Sequence, residues 1–118
     1  MLPERIRPPR EKRTNRTKRW RSHAHCDFVR NHACCACGCR AAIEVAHNRK
    51  GTPCGMGTKP DDWHTISLCH DCHSRQHMIG EDAFDAEARI NRHALAQEFA
   101  RCSPKAVDIR REQASRGA

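Results

Sequence analysis

The sequence predicts a small α+β domain that cannot rely on an apolar core alone. Three observations lead there. The chain has 118 residues, of which 37% are apolar and 4% aromatic, which is little hydrophobic surface for a free-standing fold. It carries nine cysteines and nine histidines, the composition of small domains held by crosslinks or metal. And the patterning runs strand, glycine-rich loop, strand, helix between two paired cysteine knuckles.

Taken in order, residues 1–21 hold nine Lys/Arg and two Glu, net +7 of a total of +8. Residues 1–19, with three prolines and almost nothing to bury, read as a basic arm without fixed structure that binds a polyanion by neutralising phosphates. Arg16, Lys18 and Arg19 are its candidate contacts. From Trp20 to Asn31, Ala24, Phe28 and Val29 are spaced for one short helix. Ala33 to Arg40 is a cysteine-rich turn, and Ala42 to Ala46 a strand with Ile43 and Val45 on one face. Asn48 to Pro60, with three glycines and two prolines, is a long loop. Thr65 to Leu68 is a second strand, and Asp71 to Met78 a helix that Gly80 ends. A further helix spans Asp82 to Arg101, its apolar stripe broken near Asn91. Residues 103–118 read as a polar, frayed tail, leaving 20–102 as the folded domain.

Cys34-x2-Cys37 and Cys69-x2-Cys72 supply four thiolates for one structural Zn²⁺. An odd cysteine count and an N-terminus without an apolar signal segment point to a reducing cytoplasm, where such knuckles bind metal instead of forming disulfides. No apolar run is long enough for a membrane span. Cys35 and Cys39 lie beside the first knuckle and compete for its ligand positions. Directly after Cys72, His73 and His77 share one helical face, rotated about 100° from the cysteine. One helix start could thus serve two metals. His47 ends the first strand beside the open loop, where an imidazole can act as a general base at the usual histidine value near 6.5. Asp62 follows the loop and could orient His47 or complete a metal shell; His64 and His70 are rival ligands. Arg30, Arg49, Lys50 and Lys59 add cationic contacts around these positions.

The order C-x2-C, A-H, G-x-G-x-K-P-x-D, L-C-x2-C-H-x3-H resembles the HNH nucleases, in particular zinc-containing HNH proteins of phages and prophages related to the recombination-enhancement nuclease group. It covers about half the chain. The resemblance implies a ββα-metal fold, His47 as general base, and His73 and His77 as ligands of a catalytic Mg²⁺ or other divalent cation. It also implies DNA as substrate and a cytoplasmic setting in a bacterial or phage-infected cell, with a recombination protein as a possible partner. The usual middle asparagine is absent; Asp61-Asp62 stand there, and the role passes to Asp62. A zinc-stapled DNA- or RNA-binding module without catalysis is the alternative, and it would not need the His47, His73, His77 trio.

Overall fold

The computed structural model describes residues 2–4, 19–53 and 59–117. It is a small α+β domain of two strands and five helices. The arm expected at 1–19 falls mostly outside the described residues, as do Arg16 and Lys18. Among the described residues no helix is long and apolar enough to cross a membrane.

Helix α1, His23–Arg30, starts where the Ser22 side chain accepts from the His25 amide at 3.1 Å. Of the expected face Ala24, Phe28 and Val29, only Val29 is buried, and His25 is buried beside it, both fully inaccessible. One ring nitrogen of the buried His25, Nδ1, pairs with Ser103 Oγ at 2.8 Å, while Nε2 is buried without a hydrogen-bond partner.

Strands β1, Ile43–His47, and β2, Thr65–Cys69, form an antiparallel pair in which Ile43 faces Cys69 and His47 faces Thr65. All five residues of β2 are buried. Ile66 and Leu68 join Cys34, Ala46, Phe84 and Ala96 in the core. The alternate residues are polar yet satisfied: Thr65 donates to the Asp62 carbonyl at 2.7 Å and Ser67 to that of Ala33 at 2.8 Å.

Helix α2, His70–Ile79, follows β2 without a break and ends at Gly80, whose φ of 92° suits a residue without a side chain. The single helix expected over 82–101 is two: α3, Glu81–Ala88, and α4, Arg92–Cys102. Arg89 turns left-handed at φ 57°, and Asn91 caps α4 by accepting from the Ala94 amide at 3.1 Å. The break lets Arg92 reach back across α3, with its guanidinium on Asp85 at 2.9 Å, Asp82 at 3.0 Å and Glu81 at 3.3 Å.

The tail expected to be frayed is helix α5, Ala106–Gly117. Ile109 is buried at 1% exposure. Arg116 lies 4.9 Å from the centre of the Trp63 ring and pairs with Asp61 at 2.7 Å. The folded domain therefore extends past residue 102. Ile109→Ala should cost about 2–5 kcal/mol in urea unfolding; a change under about 0.5 kcal/mol, typical of a surface site, would restore the frayed tail.

Burial lowers His25 below the ordinary histidine value, against a smaller opposing effect of Asp62. The unfolded chain therefore takes up a proton near pH 6.5 that the folded chain refuses. The associated stability is full above that pH and is lost as pH falls toward the folded value. The stability difference between the wild type and His25→Gln, both zinc-saturated, should shrink from pH 7.5 to 5.5; parallel pH profiles would exclude His25 as the group responsible.

Candidate metal and active site

Two clusters meet at the start of α2. The first gathers the turn after α1 with the junction of β2 and α2. The sulfurs of Cys34, Cys37, Cys69 and Cys72 all lie within 4.8 Å of one another, the one such group of three or more ligands among the described residues. Cys37 Sγ and Cys69 Sγ are 3.7 Å apart. Two thiolates bound tetrahedrally at about 2.3 Å from one ion would be separated by about 3.8 Å, so the spacing fits a metal ion such as zinc.

The turn is shaped for this. The Gly38 amide donates to the Cys34 carbonyl at 2.9 Å and the Cys34 amide to that of Cys39 at 2.8 Å, with Gly38 at φ 76°. Burial acts to raise the Cys34 thiol, but the backbone amides of Cys37, Cys69 and Ala36 outweigh it and bring it down to about 7. Burial, then hydrogen bonds to Cys69 and Cys34, hold Cys72 far above the ordinary thiol value. Without an ion Cys34 ionises readily and Cys72 resists, whereas a dication would favour all four thiolates.

The rival cysteines are engaged elsewhere: Cys35 Sγ is 3.3 Å from Ser67 Oγ, and Cys39 Sγ contacts the Ala41 backbone. Cys26 is raised to about 11 by burial and then Asp62, and so stays a thiol.

The second cluster lines a cleft of about 350 Å³ between the end of β1 and α2. Val45 and His47, alternate residues of β1, face it from one side. His73, Gln76, His77 and Gly80 face it from α2, with Arg49, Lys59 and Glu81 at its border. His73 Nε2 and His77 Nε2 are 3.1 Å apart. Two imidazole nitrogens bound at about 2.0–2.1 Å to one ion stand about 3 Å apart, so this pair also fits a shared cation.

Each side has a carboxylate behind an imidazole. His73 Nδ1 is 2.9 Å from Glu44 Oε1, and His70 Nδ1 is 3.1 Å from the other oxygen. These bonds, that to His73 foremost, lower the Glu44 carboxyl. A carboxylate at Nδ1 fixes the proton there and leaves Nε2 as the ligand atom, the usual support of a metal-binding histidine. Glu44 was not singled out from sequence; its one signal is that it is the lone acid in β1.

His47 Nε2 is 2.9 Å from Asp62 Oδ1. Asp62 also accepts from the Ser22 amide at 2.8 Å and pairs with Arg21 at 3.3 Å. Burial works to raise its carboxyl, but His47, Ser22 and Arg21 together bring it below the ordinary value. Of the two roles open to Asp62, the geometry matches orienting His47.

The loop after His47 is held from α3. The amides of Arg49 and Lys50 donate to the two oxygens of Glu81, each at 2.8 Å, and Asn48 Nδ2 donates to the Arg92 carbonyl at 3.0 Å. Of the cationic candidates, Arg49 and Lys59 line the cleft. Lys50 pairs with Asp82, Arg19 with Asp61 at 3.9 Å and Arg30 with Asp27 at 3.5 Å. Neither rival histidine, His64 or His70, joins the pair. His64 accepts from Trp63 Nε1 at 3.0 Å in a separate cleft, and His70 stays on Glu44.

Cys69→Ser should abolish bound zinc and unfold the domain, since the folding energy tied to such a site is on the order of 10 kcal/mol. Unchanged zinc content by elemental analysis would remove Cys69 from the ligand set.

No curated protein and no solved structure matches the chain. A family model described as protein of unknown function (DUF968) matches residues 8–101, a span that holds every cysteine and histidine of the two clusters and ends before α5. Since that span is most of the sequence, the chain belongs to the DUF968 family.

Proposed function

We propose that the chain is a metal-dependent DNA endonuclease of the HNH, ββα-metal type, with the four cysteines as its structural zinc centre. One observation carries this reading: a strand-end histidine and two helix histidines line a single cleft, and His47 and His73 each rest on a carboxylate. A protein that only binds nucleic acid has no need of such an arrangement.

His73 and His77 would hold Mg²⁺ or another divalent cation, which as a Lewis acid withdraws charge from a scissile phosphate. The rest falls to the chain's own groups. Asp62 accepts the His47 Nε2–H, so Nδ1 carries the lone pair and can take a proton from water. Glu44 keeps the His73 proton on Nδ1. Arg49 and Lys59 offer positive charge to the phosphodiester at the cleft border. The basic arm, with Arg16 and Lys18, adds sequence-independent affinity for the duplex.

A second reading keeps the structural zinc and the DNA or RNA affinity but no catalysis. It is favoured by the fact that, among the described residues, the cleft brings two and not three ligand atoms within reach of one ion.

Plasmid nicking by the purified chain in Mg²⁺, Mn²⁺ or EDTA separates the two. The wild type should nick with metal and stop in EDTA. His47→Ala should keep zinc, fold and DNA affinity yet lose about 10²–10⁴-fold in rate, the usual worth of a general base. Salt-dependent binding with no cleavage in any metal would establish the binding module instead.

A further inference from the structure

Gln76 stands on α2 between His73 and His77, and all three line the cleft. It is buried to 3% exposure, and its Nε2 has no hydrogen-bond partner. A buried amide donor without an acceptor is uncommon, because it has given up water for nothing. A leucine or methionine would fill similar space on this helix without that cost.

The surroundings indicate what kind of partner is missing. Arg49 and Lys59 line the same cleft and give it positive character. Its one carboxylate, Glu81, has both oxygens taken by the amides of Arg49 and Lys50 and is held by Arg92. An incoming group therefore meets the donors of two cations and no free carboxylate among the described lining residues, and an acceptor-only anion such as a phosphate matches them.

We propose that Gln76 is a substrate-contacting residue, donating its side-chain amide to a nonbridging oxygen of a phosphate seated in the cleft. This rests on the reading of the cleft as a phosphodiester site. A neutral amide adds direction without adding charge, and its contribution does not titrate near neutral pH.

The test compares the zinc-loaded full chain with Gln76→Leu and, should that variant fail to fold, Gln76→Met. Thermal midpoints are followed against inorganic phosphate and against a short DNA duplex, with no added Mg²⁺ or Mn²⁺. The variant should melt at the same temperature as the wild type or higher without phosphate. It should bind phosphate roughly tenfold more weakly, as expected for one lost hydrogen bond to a charged acceptor. Unchanged phosphate affinity, a wild type that phosphate does not stabilise, or a variant that only melts lower would each overturn the proposal. Phosphate binding that depends on Gln76 in a chain that never nicks DNA would leave this site standing and remove the nuclease reading. Nicking that is indifferent to Gln76 would do the reverse.

Discussion

Four thiols drawn from positions up to 38 residues apart in the chain are held within 4.8 Å, and the rest of the molecule depends on that tie. The apolar core is thin, and two of its buried members, Cys34 and Cys69, belong to the cluster. In a domain this small, the binding energy of a metal ion held there would substitute for missing hydrophobic area. The tie also has a direction. Cys69 closes β2 and Cys72 lies in the first turn of α2, so the cluster sets where the helix starts and how it is rotated about its axis. His73 and His77 inherit that rotation. Structural and candidate catalytic centres are thus two faces of one helix start, and damage to the first should reach the second through geometry alone.

Buried polar links supply a second set of constraints. Asp61 and Asp62, neighbours in sequence and both nearly inaccessible, divide the work. Asp61 accepts from the Trp20 amide and from Arg116, joining the start of the folded chain to α5. Asp62 accepts from the Ser22 amide and holds His47. Buried carboxylates are costly unless fully paired, and pairing of this kind contributes more to uniqueness of arrangement than to net stability. The same applies to Arg92, 5% exposed and bound by three acids, which together with Glu81 fixes the loop beside His47.

The hairpin, α2 and its stop at Gly80 were readable because their signals are local: alternation, a knuckle running into a helix, a glycine at positive φ. The cluster of four cysteines was readable from spacing, which encodes geometry directly. What could not be read depends on contacts between distant segments. The break between α3 and α4 is stabilised by Arg92 reaching three acids, and no helix-breaking residue marks Arg89. Helix α5 has a polar sequence, and its docking depends on Ile109 and on Arg116 meeting Trp63 and Asp61 some fifty residues away. Glu44 was missed for the same reason, since its partners His70 and His73 become neighbours only when α2 folds back along β1.

Charge shows the same limit from another side. The sequence is strongly basic, yet among the described residues three of the candidate cations for DNA contact are bound to acids: Lys50 to Asp82, Arg19 to Asp61, Arg30 to Asp27. Exposed pairs of this kind are weak and exchange readily with water and salt, so Lys50 and Arg30 could still turn to a polyanion at small cost. Arg19 is different, because its acid is 2% exposed and shared with Arg116; removing it would leave a buried carboxylate less compensated. Arg49 differs again. Its backbone is fixed by Glu81 while the residue lines the cleft, so little backbone entropy remains to be lost when a phosphate is bound. Where a cation sits in the framework, more than how many cations there are, decides which can act on a ligand in the cleft.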